Sequence, residues 1–187
     1  MSRLIIGLTG KAGSGKSTAA NIISRNFGFV QVSFAEPVKR AVKEIFGLSH
    51  WFDLNDPQVK DSLIPGTDVT YRHALQTLGT DWGRKMIAED LWVDQVRRRL
   101  QYDYLNAVVT DVRFPDEAAM IRKMGGKIVH IERRNRSAAA GTDSHESEAG
   151  IEFRPRTDLK LDNNSNLQTF EAAVIRLVKD LYGGVYG

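Results

Sequence analysis

Residues 10–17 read Gly10-Lys11-Ala12-Gly13-Ser14-Gly15-Lys16-Ser17. They match G-x-x-x-x-G-K-[ST], the P-loop pattern. Glycine at roughly 7% of ordinary sequence makes a chance match in a chain this long an event of about one percent. The chemistry of such a stretch is anion binding. Glycines let the backbone wrap an anion without Cβ clashes. The N–H groups from Lys11 through Thr18, along the loop and into the following helix, are candidate phosphate donors. Lys16 is expected to reach the β- and γ-phosphates of a nucleoside triphosphate, and the Ser17 hydroxyl to ligate Mg²⁺. The plainer alternative is a glycine turn joining a strand to a helix.

Four further groups of residues carry potential chemistry. Asp111 ends the apolar run Asn106-Ala107-Val108-Val109-Thr110, where an acid could hold Mg²⁺ or its water. It could equally cap a loop or a helix. Arg113, two residues on, is expected on the same side, where a guanidinium can grip phosphate bidentately. Pairing with Asp116 or Glu117 is its alternative role. Arg133, Arg134 and Arg136 follow a fourth strand and are candidates to close over a transferred phosphoryl group. A solvated basic loop is the simpler reading. The acidic run Ser144-His145-Glu146-Ser147-Glu148 could latch such a lid or be a plain solvated stretch. Lys39, Arg72, Gln76, Arg84 and Trp92 supply cations, a hydrogen-bonding side chain and an aromatic wall of the kind a nucleoside monophosphate needs. Arg72 and Gln76 share a helix face, whereas Trp92 by spacing alone is more often core. The four histidines show no metal-ligand spacing.

The elements that must position these residues alternate. Leu4–Thr9 reads as a short buried strand, and Thr18–Ile23 as the start of a helix reaching about residue 26. Phe29–Phe34 alternates like a strand. A helix is expected over Glu36–Phe46, with Pro37 in its first turn. Val38, Ala41, Val42, Ile45 and Phe46 form its buried stripe, and Gly47 follows its end. Residues 48–69 are irregular. Thr70 opens a helical run that Gly79 and Gly83 interrupt, and another helix passes through Trp92, Val93, Val96 and Leu100. Asn106–Asp111 is the third strand. Pro115 opens a helix with Ala118, Ala119, Ile121 and Met124 inward. Lys127–Ile131 and Leu159–Leu161 are the last strands, and Leu167–Tyr182 a closing helix. This order predicts an α/β fold, a five-stranded parallel sheet with helices on both faces and a site at the strand C-terminal ends. Insertions stand out at residues 48–104 and 132–156.

Whole-chain properties narrow the class. A length of 187 residues suits one domain with a substantial core. Hydrophobic content of 42% and charged content of 26% are those of a soluble globular protein. A net charge of +3 suits a small anionic substrate and makes no case for nucleic acid. The absence of cysteine removes disulfides and thiolate metal sites. No apolar run approaches the ~20 residues of a membrane span, and no signal peptide is expected ahead of the first strand.

Several segments together resemble the phage-type deoxynucleoside monophosphate kinases, a P-loop nucleoside monophosphate kinase family. They are Phe34-Ala35-Glu36-Pro37-Val38-Lys39, Leu75–Arg84, Trp92-Val93, Thr110–Glu117, Ser144–Glu148 and Asp158–Asn164. The resemblance spans nearly the whole chain. It implies a three-layer P-loop fold, with a helical monophosphate-binding insertion over about residues 35–104 and a lid over about 132–156. It implies ATP and Mg²⁺ as cofactors and transfer of the γ-phosphate to a deoxynucleoside monophosphate, giving the diphosphate, in deoxynucleotide biosynthesis. Carried over, Lys39, Arg72, Gln76 and Arg84 belong to the acceptor site, and the Asp162-Asn163-Asn164 loop lies near the adenine of ATP. Ser165 departs from the pattern, standing where glycine is expected.

The mechanism expected from these residues is direct transfer. Lys16, the loop N–H groups and Mg²⁺, held by Ser17 and Asp111, bind ATP. Arg113, with some of Arg72 and Arg84, places the acceptor phosphate. Arg133, Arg134 or Arg136 neutralises the charge of the transferred group. A kinase of another small acceptor, such as dephospho-coenzyme A, is the nearest rival. A nucleotide-hydrolysing switch is the more distant one, since N-K-x-D is absent and the lone D-x-x-G falls at Asp180–Gly183, in the last helix. The expected setting is cytoplasmic, in the host cytoplasm if phage-encoded, with neither membrane nor nucleic acid as partner. A homodimer is expected only as the commonest oligomer.

Overall fold

The computed structural model describes residues 3–102, 106–134 and 151–185. The chain divides into two compact units, Met1–Ser33 with Arg97–Gly187, and Phe34–Val96. The lid expectation over residues 132–156 falls largely outside the described residues, as do Arg136 and the run Ser144–Glu148.

The first unit holds a five-stranded parallel sheet of order β2-β3-β1-β4-β5. Its strands are β1 (Ile5–Thr9), β2 (Val30–Val32), β3 (Ala107–Val109), β4 (Lys127–Glu132) and β5 (Asp158–Asp162). Every residue of β1 and β3 is buried. That is why both read as continuous apolar runs rather than alternating ones. Helices α1 (Lys16–Phe27) and α7 (Leu167–Val185) pack together on one face. There Leu4, Ile6, Leu8, Val108, Val129, Ile131 and Leu161 meet Ala19, Ile23, Phe170 and Val174 in one core. Helix α6 (Pro115–Lys123) packs on β1 and β4 from the other face. A Cβ on Gly7 would come within 2.8 Å of Ile121 on that helix. This is the three-layer arrangement expected from the alternation of elements.

Asn106 ties three elements together just before β3. Its Oδ1 accepts from Leu4 N at 2.8 Å, its Nδ2 donates to the Tyr182 hydroxyl at 2.7 Å, and its carbonyl accepts from Val30 N at 2.9 Å.

The second unit is helical. It contains α2 (Glu36–Ile45), α3 (Pro57–Asp61), α4 (Tyr71–Gln76), a π-helical segment (Thr77–Ile87) and the first half of α5 (Leu91–Tyr102). Val42, Leu54, Ile64 and Tyr71 form its core, with Phe52 lying 5.1 Å from Tyr71 between ring centroids.

Several local expectations are corrected. The stretch 48–69 contains α3, which Asp56 caps by accepting from Gln58 N. Ile45 and Phe46 are exposed, because α2 buries only Val38 and Val42. Gly79 and Gly83 do not break the helical run; the π-helical segment passes through both. A Cβ on Gly83 would meet the Trp92 ring at 2.6 Å, so this glycine makes room for the indole. On α6 the buried face carries Glu117, Ala118, Met120 and Ile121, while Ala119 is exposed and Met124 half-buried. Glu117 turns inward because it reaches back to the helix start, accepting from Arg113 N (2.7 Å) and Phe114 N (3.1 Å).

A buried polar network locks β5 to its neighbours. Asp158 accepts from Arg122 Nε (2.9 Å) and a terminal guanidinium nitrogen (2.6 Å), from Arg154 N (3.0 Å) and from Thr157 Oγ1 (3.1 Å). His130 Nε2 lies 3.1 Å away. Burial alone would raise the Asp158 pKa, but the Arg122 guanidinium and the other donors outweigh it. They hold the carboxyl well below the usual carboxylate range. A depressed carboxylate stabilises the fold fully above its unfolded pKa of about 4, and that stability is lost as the pH falls below it. Asp158→Asn should therefore lower the thermal midpoint at neutral pH. It should also flatten the acid-side decline between about pH 5 and pH 2 relative to wild type. Calorimetric melting across that range checks both effects.

Candidate active site

The P-loop leaves β1, the central strand, where the sheet order reverses and α/β proteins open a crevice. Gly10, Gly13 and Gly15 have φ of +142°, +72° and +110°, backbone that side-chain-bearing residues rarely adopt. Two of them also lack space. A Cβ on Gly10 would run into the Ile131 carbonyl at the end of β4, and one on Gly15 into the side-chain amide of Asn163 just after β5. The loop is thus seated against the ends of two strands.

Helix α1 starts at Lys16, two residues earlier than its apolar pattern suggests, with Gly15 at the cap position and no acid in the first turn. Its first N–H groups therefore face outward with a positive helix end behind them. Lys16 Nζ donates to the carbonyls of Gly10 (2.5 Å) and Lys11 (2.9 Å), which ties the ammonium to the loop. Ser14 N donates to Lys11 O at 3.1 Å. Ser14 is buried, and its Oγ has no hydrogen-bond partner among the described residues.

A cavity of about 320 Å³ opens on this loop. Gly13, Gly15, Lys16, Ser17, Thr18, Arg133 and Asn163 line it, all expected from the sequence to be site residues. Ser165, Leu167 and Phe170 complete the wall. Sequence reading missed these three as site residues. Phe170 and Leu167 look like the apolar face of a closing helix, and only the parallel seating of α7 beside α1 exposes their flank to the loop.

Other expected residues sit in the same unit with defined partners. Strand β3 ends at Val109, so Asp111 stands two residues beyond it. There it accepts from Ser33 Oγ at 2.7 Å. Ser33, just past β2, is a positioning hydroxyl that the sequence alone does not single out. Its relevance comes from the parallel β2–β3 register, which sets Val32 beside Val109. Arg113 also lies past the strand, so two-residue alternation does not carry to it; its side chain is exposed. Arg134 N donates to Asn164 Oδ1 at 2.6 Å, and Asn164 in turn bonds Asp162.

The remaining candidates lie in the second unit. Arg72 makes a bidentate pair with Asp61, at 2.5 and 3.1 Å, and this bonding holds the Asp61 carboxyl below its ordinary pKa. Lys39 Nζ donates to Asn55 Oδ1 at 2.7 Å, and an Arg84 terminal nitrogen to Glu89 O at 3.1 Å. Gln76 is half-buried one turn beyond Arg72. Trp92, expected as an aromatic wall for the acceptor, is instead packed into this unit. It is 8% exposed, lies against Gly83, and its Nε1 donates to Gly79 O at 2.7 Å. A buried indole needs a partner for its N–H, and the Gly79 carbonyl in the π-helical segment supplies one.

Comparison with known proteins gives the family and the fold. The profile of the deoxynucleotide monophosphate kinase family matches residues 52–174. A protein of Acanthamoeba polyphaga mimivirus, provisionally named a deoxynucleotide monophosphate kinase, is 31% identical over 94% of this chain and 96% of its own. The deoxynucleoside-5'-monophosphate kinase of Escherichia phage T5 is 24% identical over 79% of this chain and 85% of its own. Among solved structures, shikimate kinase from Aquifex aeolicus superposes with a TM-score of 0.52 at 18% identity, over 98% of this chain and 99% of its own. That likeness is one of fold, the three-layer architecture of P-loop kinases. With the loop, the sheet order and these relatives in agreement, the chain belongs to the deoxynucleotide monophosphate kinase family.

Proposed function

We propose that this enzyme transfers the γ-phosphate of ATP, with Mg²⁺, to a deoxynucleoside monophosphate and releases the diphosphate. The observation that carries the reading is the anion cradle at the start of α1, built from three positive-φ glycines, Lys16 and Ser17, in a chain of this family. The cradle suits a phosphate chain. Two of its glycines have no room for a Cβ, and a buried hydroxyl lies within it.

Mg²⁺ suits the donor set as well. Among the described residues no group of three or more His, Asp or Glu could hold a metal ion. Mg²⁺ needs none, because it takes one or two protein oxygens and completes its shell with phosphate and water. The Ser17 hydroxyl and Asp111, oriented by Ser33, are the oxygens assigned to it. Held there, Mg²⁺ would supply positive charge to offset that of the phosphates.

The residues then divide by role. Lys16 and the N–H groups from Lys11 to Thr18 hold and polarise the donor phosphates. Arg133 and Arg134 are assigned to charge on the transferred group. Arg113, with Lys39, Arg72, Gln76 and Arg84, is assigned to the acceptor. An acceptor phosphate oxygen is already anionic, so transfer needs orientation and charge compensation rather than a strong general base. No covalent enzyme intermediate is required.

An acceptor screen tests the reading. Purified protein and Mg-ATP are incubated with each common deoxy- and ribonucleoside monophosphate, with dephospho-coenzyme A, and without acceptor, while ADP and product are quantified. Deoxynucleoside diphosphate should form. Phosphate release without an acceptor product would reject the reading. Lys16→Ala should reduce transfer by at least about a hundredfold with an unchanged circular dichroism spectrum. Arg84→Ala should raise the acceptor KM by about tenfold or more while the ATP KM stays at the wild-type value. Steady-state kinetics with each substrate varied in turn separate the two effects.

A further inference from the structure

We infer that Asn163 is a positioning residue for the donor phosphates, acting through the Ser14–Gly15 peptide rather than through the base of the nucleotide. The inference rests on the P-loop reading above. Asn163 is the first residue past β5 and is buried. Its backbone N–H donates to Glu132 O at 2.8 Å, extending the β4–β5 pairing by one step. Its side-chain Nδ2 donates to Ser14 O at 2.8 Å in a buried hydrogen bond. Asn163 therefore carries the position of two strand ends into the middle of the P-loop.

The direction of that bond matters. The Ser14 carbonyl and the Gly15 N–H belong to one peptide unit, and no peptide in the described chain is cis. In a planar trans unit the two groups point opposite ways. Holding the carbonyl on Asn163 turns the Gly15 N–H away from it. Gly15 is the cap residue of α1, so this N–H has no intrahelical partner and is available to an anion. Gly15 also lies directly against the Asn163 amide, with no room for a Cβ. The Ser14 side chain offers no substitute anchor, because its buried Oγ has no hydrogen-bond partner among the described residues.

A residue that contacts adenine and one that aims the loop differ in what they do to a donor without a base. Wild type, Asn163→Ala and the nearly isosteric Asn163→Asp should be titrated calorimetrically with Mg²⁺-tripolyphosphate and with Mg-ATP. Asp keeps the side-chain shape but sets an acceptor against the Ser14 carbonyl. Both variants should bind both probes more weakly by the same factor, about tenfold, with a lowered kcat and an unchanged acceptor KM. A loss confined to ATP would overturn the inference in favour of a base contact. Unchanged affinity for both probes, with only a lowered thermal midpoint, would reduce Asn163 to packing. A wild-type protein that binds neither probe would remove the P-loop reading and this inference with it.

Discussion

An anion held by backbone N–H groups needs several of them aimed at one point, and a flexible loop does not hold that aim unaided. In this chain the aim comes from steric closeness. Gly10 lies against the carbonyl of Ile131 and Gly15 against the amide of Asn163, so the loop is seated on the ends of β4 and β5. The glycines serve two purposes at once. They permit positive φ, and they leave no side chain between the loop and the strands. Orientation is then fixed before any ligand arrives, which is where electrostatic binding draws its strength.

The sheet makes that seat possible. Strand β1 is central, with β3 on one side and β4 on the other. Its buried residues pack on α1 and α7 from one face and on α6 from the other. Burial on both faces fixes register, because a slip of one residue would turn every side chain to the wrong layer. The chain leaving β1 thus always begins its loop beside the end of β4. The Arg122–Asp158 pair anchors the start of β5 in turn. Breaking a buried ion pair on one side leaves a charge with poor solvation, so the network resists displacement of the strand whose far end carries Asn163.

In the helical unit the candidate acceptor residues share another device. Each cation is already oriented by a neutral or acidic neighbour: Lys39 by Asn55, Arg72 by Asp61 and Arg84 by the Glu89 carbonyl. A long side chain held in this way loses less rotamer freedom when it meets an anion. The π-helical segment contributes the Gly79 carbonyl that accepts from Trp92 Nε1. That bond, with the indole seated on Gly83, fixes Arg84 on a segment packed around a rigid ring.

The sequence by itself determined the place and backbone character of the loop, the number and direction of the strands, and the family. These depend on local constraints: glycines where side chains cannot go, a lysine and serine at a helix start, and apolar runs that only a doubly covered parallel sheet can bury. Helix ends marked by Thr70, Pro37 and Pro115 were equally legible, because capping and the missing proline N–H act within one turn. What required the tertiary structure was every property set by residues far apart in the chain. Trp92 became core and Gly83 its clearance because α5 folds back on the π-helical segment. Ile45 and Phe46 lie exposed because the partners of α2 cover only the Val38–Val42 line. Ser33 bonds Asp111 across 78 positions, and Asn163 bonds Ser14 across 149. Neither contact leaves a periodic or compositional trace, since a hydrogen bond between two loops constrains a distance in space and nothing in the sequence between them.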